Sequence, residues 1–398
     1  MLAARQAGER RIVVFSERSR ASLQPNALAQ ALNERRVRGE PILDLTLSNP
    51  THAGLPGEVL APADPFAGVS VRSYDPEALG HIDARRAVAE QWPGGVLVDP
   101  ERVVLTAGTS EAYSFLFKLL CDPGDEVLVP QPGYPLLDHL ARLESVRLVA
   151  YPLCYDGAWF IDCDALRTRI TRRARAIVAV NPNNPTGNYL KRSELAAIEA
   201  LGLPIVSDEV FSAYPLGPDP TRVVSVLSGG CPLSFALGGL SKLVAMPQLK
   251  VSWLAVGGHP ARVREALSRL ELIADTYLSV ATPTQLALPR LLARQGAVTS
   301  AIAERTRSCL GALHEALAGS AATVLRVEGG WYAVVRLPST KSEVDWVLEL
   351  LREDGVLVHP GWFYDFTTEP FVVLSLLTPP EAFSEGTRRL GRRLGVAR

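Results

Sequence analysis

No stretch of the chain approaches the roughly 18–20 consecutive apolar residues that a bilayer-crossing helix requires, so no membrane span is expected. The opening residues, Met1-Leu2-Ala3-Ala4-Arg5, turn charged before the apolar core of a secretory leader could form. Cysteine is scarce. Cys121, Cys154, Cys163, Cys231 and Cys309 are scattered, odd in number and without a C-x-x-C pair. That excludes a disulfide framework and a zinc site, and it points to a reducing, cytoplasmic setting. Excess charge of one sign is also missing. Lys and Arg number 41 against 42 Asp and Glu, for a net charge of -1. No global field favours nucleic acid or an anionic membrane surface. The arginine pairs at 35–36, 172–173, 388–389 and 392–393 are interleaved with apolar residues and read as solvated helix faces. His52, His81, His139, His259 and His314 lack the spacing of metal ligands, so no metal is expected. There is no repeat and no low-complexity stretch.

What is present is an ordinary globular composition, 47% hydrophobic and 21% charged, over 398 residues. That length suits a large domain with a smaller companion. Between residues 100 and 260, short apolar runs at 102–105, 126–129, 146–150, 176–180, 204–207, 234–237 and 252–256 alternate with amphipathic segments such as 111–120, 134–143 and 191–200. Strand–helix alternation of this kind predicts an α/β fold with a mostly parallel seven-stranded sheet flanked by helices. The stretch Tyr155-Asp156-Gly157-Ala158 reads as a turn interrupting that pattern. From about residue 290 the alternation gives way to an α+β pattern. We expect a large domain over 46–288 and a smaller α+β domain made from 1–45 and 289–398.

In an open parallel sheet, ligands collect at the carboxyl ends of the strands, and four such ends carry unusual residues. After the first run stand Thr106-Ala107-Gly108-Thr109-Ser110. A glycine and two hydroxyls opening a helix offer free N–H groups to an anion, although alone they also read as a plain helix cap. After 176–180 comes Asn181-Pro182-Asn183-Asn184-Pro185-Thr186-Gly187, a rigid polar segment too dense for an ordinary turn. After 204–207 come Asp208-Glu209. A carboxylate there is costly unless it caps the next element or meets a cation such as a protonated pyridine nitrogen. After 234–237 come Gly238-Gly239-Leu240-Ser241-Lys242, with Lys250 eight residues on. A desolvated lysine becomes a nucleophilic amine, and a second cation suits a phosphate ester.

Asn181–Gly187 with its Asn-Pro-Thr-Gly ending, Ser207-Asp208-Glu209 and Ser241-Lys242 occur in the order and spacing of the class I/II aminotransferases. The chain resembles that family of fold-type I enzymes, which depend on pyridoxal 5'-phosphate (PLP), from about residue 43 to 376. The resemblance implies that Lys242 binds PLP as a Schiff base and shuttles the substrate proton. Asp208 would pair with the pyridinium nitrogen, and Asn184 would hydrogen-bond the phenolic oxygen. Tyr134 would stack on the ring, while Gly108, Thr109, Ser110 and Lys250 would hold the phosphate. Phe211 would line the ring. Tyr74, in Ser73-Tyr74-Asp75-Pro76, resembles the tyrosine that reaches a neighbouring subunit's phosphate, which implies a homodimer with shared sites.

The chain departs from the family in several places. Lys250 stands where relatives usually have arginine, so a point charge replaces a bidentate fork. Phe211 replaces the tyrosine usual three residues after the aspartate, and Gly238 and Gly239 stand where a serine often lies. Val373 occupies the position of the arginine that clamps the substrate carboxylate. Ser48, Asn49 and Arg336 are candidate substitutes, although Arg336 reads more readily as a solvated surface arginine. His359, in a loop resembling one at the site mouth, either touches substrate or, more readily, is a structural turn histidine. No arginine in 275–283 suits a second carboxylate. The expected function is transfer of an amino group between an amino acid or amine donor and a keto acceptor. The alternative is another PLP reaction on the same scaffold, such as elimination, cyclisation or decarboxylation. A non-catalytic relative is disfavoured, because Lys242, Asp208 and Asn184 are all present.

Overall fold

The computed structural model describes residues 14–20, 24–56, 64–69, 72–368 and 370–395. In chain order its strands are β1 (Leu43–Asp44), β2 (Val103–Thr106), β3 (Glu126–Gln131), β4 (Arg147–Tyr155), β5 (Trp159–Ile161), β6 (Ala174–Val180), β7 (Ile205–Asp208), β8 (Leu233–Gly239), β9 (Ser252–Gly258), β10 (Thr323–Val324), β11 (Tyr332–Arg336), β12 (Val356–Leu357), β13 (His359–Pro360) and β14 (Phe371–Ser375). The seven runs expected from sequence correspond to β2, β3, β4, β6, β7, β8 and β9, and they lie in one sheet of order β2-β9-β8-β7-β6-β3-β4-β5. The sheet has an eighth strand, β5, which the sequence reading missed. The turn at 155–158 closes a hairpin in which β5 runs antiparallel to β4. Strand β5 has three residues, too few to show a period of its own. Strands β3, β4, β6, β7 and β8 pair in parallel, while β9 runs antiparallel to both β2 and β8.

Local sequence explains these elements. Strand β2 is Val-Val-Leu-Thr and buried at every position, as a strand covered on both faces must be. The helix Thr109–Leu120 turns Ala112, Tyr113, Phe115, Leu116 and Phe117 inward. The helix Pro260–Tyr277 opens with proline at its first position and buries Val263, Ala266, Leu270 and Ala274 at helical spacing. Both helices cover the sheet through one apolar cluster that also holds Val127, Val178, Val206, Phe235 and Leu254.

The C-terminal part forms a second sheet of order β10-β11-β14-β13, antiparallel throughout. Strand β1 pairs in parallel with β12, and Ala31 of the helix Ala27–Val37 packs with Leu351 and Leu357. The N-terminal residues thereby join the C-terminal part. The helix Glu343–Asp354 has Ser342 as its N-cap and stops at Gly355, whose φ of 67° is left-handed.

The two parts meet at a seam with no room for side chains. Gly329 N and Glu328 N both donate to the Gly187 carbonyl, at 2.9 and 3.2 Å, and Gly330 N donates to the Tyr214 carbonyl at 3.0 Å. The buried carboxylate of Glu328 accepts from Tyr189 N at 3.0 Å and Lys191 Nζ at 2.6 Å. A Cβ on Gly329 would stand 2.5 Å from the Tyr189 ring and 2.7 Å from the Tyr214 carbonyl, and one on Gly187 would stand 2.7 Å from the Gly329 carbonyl. The largest apolar cluster crosses this seam, taking in Tyr214 and Leu240 on one side and Trp331, Val334 and Val373 on the other.

Gly329→Ala should therefore cost about 1–3 kcal/mol through overpacking, read as a lower denaturant midpoint. Gly311→Ala, in the helix Gln295–Leu317 with nothing within 4 Å of its Cβ, should instead stabilise by up to ~1 kcal/mol. Equal effects of the two substitutions would show that the seam is slack.

Candidate active site

Parallel strands bring the ends of β6, β7 and β8 side by side, so that Val180, Asp208 and Leu237 stand in register. Antiparallel β9 returns Lys250 and Ser252 to the same edge, where Ser252 pairs with Gly239 of β8 and with Thr106 of β2. A cavity of about 300 Å³ opens over this edge. Gly108, Thr109, Ser110, Tyr134, Asn184, Asp208, Phe211, Lys242, Lys250 and Ser48 all line it.

Asp208 is the electrostatic centre. Its Oδ1 accepts from Val210 N at 3.2 Å, and its Oδ2 accepts from the Tyr113 hydroxyl at 3.3 Å. Burial outweighs these bonds and the nearby Lys242 charge, and it pushes the carboxyl up to about 6. The same burial brings the Lys242 amine down to about 8, against the pull of Asp208. Lys242 sits on the short helix Leu240–Leu243, and its carbonyl accepts from the Tyr214 hydroxyl. Its Nζ stands 4.8 Å from the centre of the Trp331 ring and 5.4 Å from that of Phe211.

The Asn181–Gly187 loop owes its stiffness to its own amides. Asn181 Nδ2 donates to the Val223 carbonyl and its Oδ1 accepts from Leu190 N, both at 3.0 Å, while Asn183 Nδ2 donates to the Pro132 carbonyl at 3.1 Å. The Gln131–Pro132, Asn181–Pro182 and Asn184–Pro185 peptides are cis. The side-chain oxygen of Asn184 is buried without a partner among the described residues. Opposite lies an anion cup. The helix Thr109–Leu120 begins after Gly108 with no side-chain cap, which leaves its first N–H groups facing the cavity beside the Thr109 and Ser110 hydroxyls. The space that a Cβ on Gly108 would fill lies 3.5 Å from Lys250 Nζ.

These features fit PLP on physical grounds. Asp208 is a half-buried carboxylate facing the cavity and in want of a cation, Asn184 has a buried side-chain oxygen in want of a partner, and the cup suits a phosphate. Comparison with known proteins decides the family: residues 47–379 match the model of aminotransferase class I and II. The chain belongs to the class I and II aminotransferases.

As an aminotransferase of this family it is a PLP-dependent enzyme, and the expected fold-type I architecture stands. Nicotianamine aminotransferase A of Hordeum vulgare is 27% identical over 333 residues, covering 78% of this chain and 71% of the relative. S-alkyl-thiohydroximate lyase of Arabidopsis thaliana is 31% identical over 229 residues, covering 55% of this chain and about half (49%) of the relative. A solved double mutant of Thermus thermophilus aspartate aminotransferase superposes with a TM-score of 0.81 at 25% identity, covering 95% of this chain and 99% of that one.

Not every expected residue of the aminotransferase reaches the cavity. The Asn49 side chain instead accepts from Thr51 N and Oγ1, at 3.1 and 2.8 Å, capping a short turn. His359 stacks on Phe363 at 5.2 Å, and burial pulls it down to about 4, which marks a neutral packing histidine. Arg336 ends β11 exposed, beside a separate hollow with Trp159 and Phe366. Tyr74 is 74% exposed and outside the cavity of its own chain. Val373 is fully buried in β14, paired with Val334 and His359. The structure adds Tyr113, Tyr332, Ser241 and Ser252 to the lining, with Trp331 under Lys242. The Ser48 and Tyr332 side chains stand near each other on the cavity wall. Tyr113 was open to discovery, because it lies one helical turn after Thr109 and so faces the same strand ends.

The folded chain without PLP holds the Asp208 proton more tightly than the unfolded chain, because burial moves the carboxyl from 3.8 to about 6. This contribution to stability is complete below pH 3.8 and is lost as pH rises through about 6, roughly 3 kcal/mol in all. In PLP-free protein, Asp208→Asn should match the parent near pH 4 and exceed it in stability above pH 6.5. Urea titrations at the two pH values check this, and a variant less stable than the parent above pH 6.5 would refute it.

Proposed function

We propose that this aminotransferase transfers the amino group of a donor with an apolar or aromatic side chain to a keto acceptor, with Lys242 as the amine that holds PLP and moves the proton. The observation that carries this reading is the half-buried Lys242 amine set between Asp208 and two aromatic rings, beside an anion cup. Bound PLP supplies an electron sink for the donor's Cα–H bond. Lys242, brought down to about 8 by burial, is available near neutral pH to take the proton from the donor's Cα. Asp208 offers negative charge to the ring nitrogen, Asn184 offers its amide to the phenolic oxygen, and Tyr134 covers the ring. Gly108, Thr109, Ser110 and Lys250 hold the phosphate.

The outer wall supports the choice of donor. Leu136, Leu137 and Leu140 present an apolar face, and among the described lining residues the only cations are Lys242 and Lys250, both engaged with PLP. The Ser48–Tyr332 hydroxyl pair is the group we assign to the donor carboxylate, in place of an arginine at position 373. We also propose the division into a large domain over 46–288 and a small one from 1–45 and 289–398. A homodimer in which Tyr74 reaches the partner's phosphate cup belongs to the same reading, as does residence in the cytoplasm, which suits five free thiols. A lyase-type reaction is the second reading, favoured by Val373 where the family clamps a carboxylate.

A panel of donors offered to the PLP-loaded enzyme separates the two. Transfer predicts loss of the PLP band with stoichiometric pyridoxamine phosphate, and aspartate should be at least about tenfold poorer than leucine in kcat/KM for want of a partner to its second carboxylate. Release of ammonia or carbon dioxide without pyridoxamine phosphate would instead establish the second reading. Lys242→Ala should abolish the lysine-bound PLP absorbance and lower transfer at least about 100-fold. A persistent band in that variant would displace Lys242 from its role.

A further inference from the structure

We infer that Trp331 is a positioning residue for Lys242, holding the lysine's ammonium over its ring whenever that amine is not bound to PLP. The inference rests on the reading of Lys242 as the PLP lysine. Lysine has a long, flexible stem, and an amine that is displaced on every turnover needs a place to wait. A carboxylate could supply one, but an ion pair would compete with the next capture. An aromatic face attracts the ammonium without accepting its proton.

The geometry provides such a face. Lys242 Nζ lies 4.8 Å from the Trp331 centroid and 5.4 Å from that of Phe211. Trp331 is fully buried, and Phe211 and Tyr214 each meet its ring edge-on at 5.2 Å, with interplanar angles of 68° and 67°. Its main chain is fixed as well. Gly330 N is bonded to the Tyr214 carbonyl, and the Trp331 carbonyl accepts from Leu376 N at 2.7 Å. Tyr214 meanwhile donates its hydroxyl to the Lys242 carbonyl. One cluster of rings therefore grips the lysine at both ends, its backbone through Tyr214 and its ammonium through Trp331. Trp331 comes from the C-terminal part across the glycine seam, so the smaller domain contributes to the amine's placement. Phe211 belongs to this box, which gives its apolar ring a purpose at a position facing PLP.

The charged and titratable groups around the amine are Asp208 at the end of β7, Tyr214 on the lysine carbonyl and, across the cavity, Lys250, Tyr113, Tyr134 and Tyr332. None is altered in the experiment. The full-length chain freed of PLP is mixed with PLP, and growth of the lysine-bound absorbance is followed against pH. Only the neutral amine captures PLP, so the parent's rate should rise with a midpoint near the lysine's value of about 8. Trp331→Leu keeps the site apolar but removes the face, and should move the midpoint down by about one pH unit, a tenfold loss of preference for the ammonium. Trp331→Phe restores a weaker face and should fall between. A purely structural tryptophan would lower the melting temperature and leave the midpoint in place. An unmoved or raised midpoint overturns the inference. If Trp331→Leu fails to fold, Phe211→Leu should shift the midpoint the same way by a smaller amount, and no shift there overturns it equally. Failure of the underlying reading looks different, since Lys242→Ala would then keep the PLP absorbance.

Discussion

A carboxylate held out of water at the end of a central strand organises this molecule. Asp208 gains only one backbone N–H and one tyrosine hydroxyl in exchange for its hydration, and its carboxyl is pushed up to about 6 in consequence. Two neutral donors do not compensate a desolvated charge. A cation brought against Asp208 would relieve that cost. Parallel pairing of β6, β7 and β8 delivers Asn184 and Lys242 to the same edge as Asp208, and the antiparallel return of β9 adds Lys250. Most of the large sheet's topology can be understood as placing these four groups around one small ligand.

The second part of the chain completes the site from above. Tyr332, directly after Trp331, lines the cavity near Ser48 from the N-terminal segment. The cavity roof thus combines residues from both ends of the sequence, held together by the pairing of β1 with β12. Tyr332 is the one residue of the C-terminal part among the described lining residues, and the rest of the lining comes from residues 48–252.

The sequence disclosed the large sheet and the cavity residues at its strand ends well, and it did so for a physical reason. Buried parallel strands read as continuous apolar runs, and chemistry concentrates where each run ends, so Gly108–Ser110, Asn184, Asp208, Lys242 and Lys250 stood out. Strand β5 was too short to carry a period. Asn49, His359 and Arg336 could be read either as substrate contacts or as structural and surface residues, because loop and strand-end residues have no periodicity to fix their direction. A histidine stacked on phenylalanine and one facing substrate look alike in one dimension. Trp331 followed two glycines that were visible from the start, yet what those glycines approach, Gly187 and Tyr214, lies more than a hundred residues away in the chain.

The glycine seam also limits how the two halves can move. Sliding the small sheet along the large one would drive the Gly329 and Gly187 backbones into each other and strip Lys191 from the buried Glu328 carboxylate. The seam therefore fixes the backbone next to Trp331, the residue whose ring lies under Lys242.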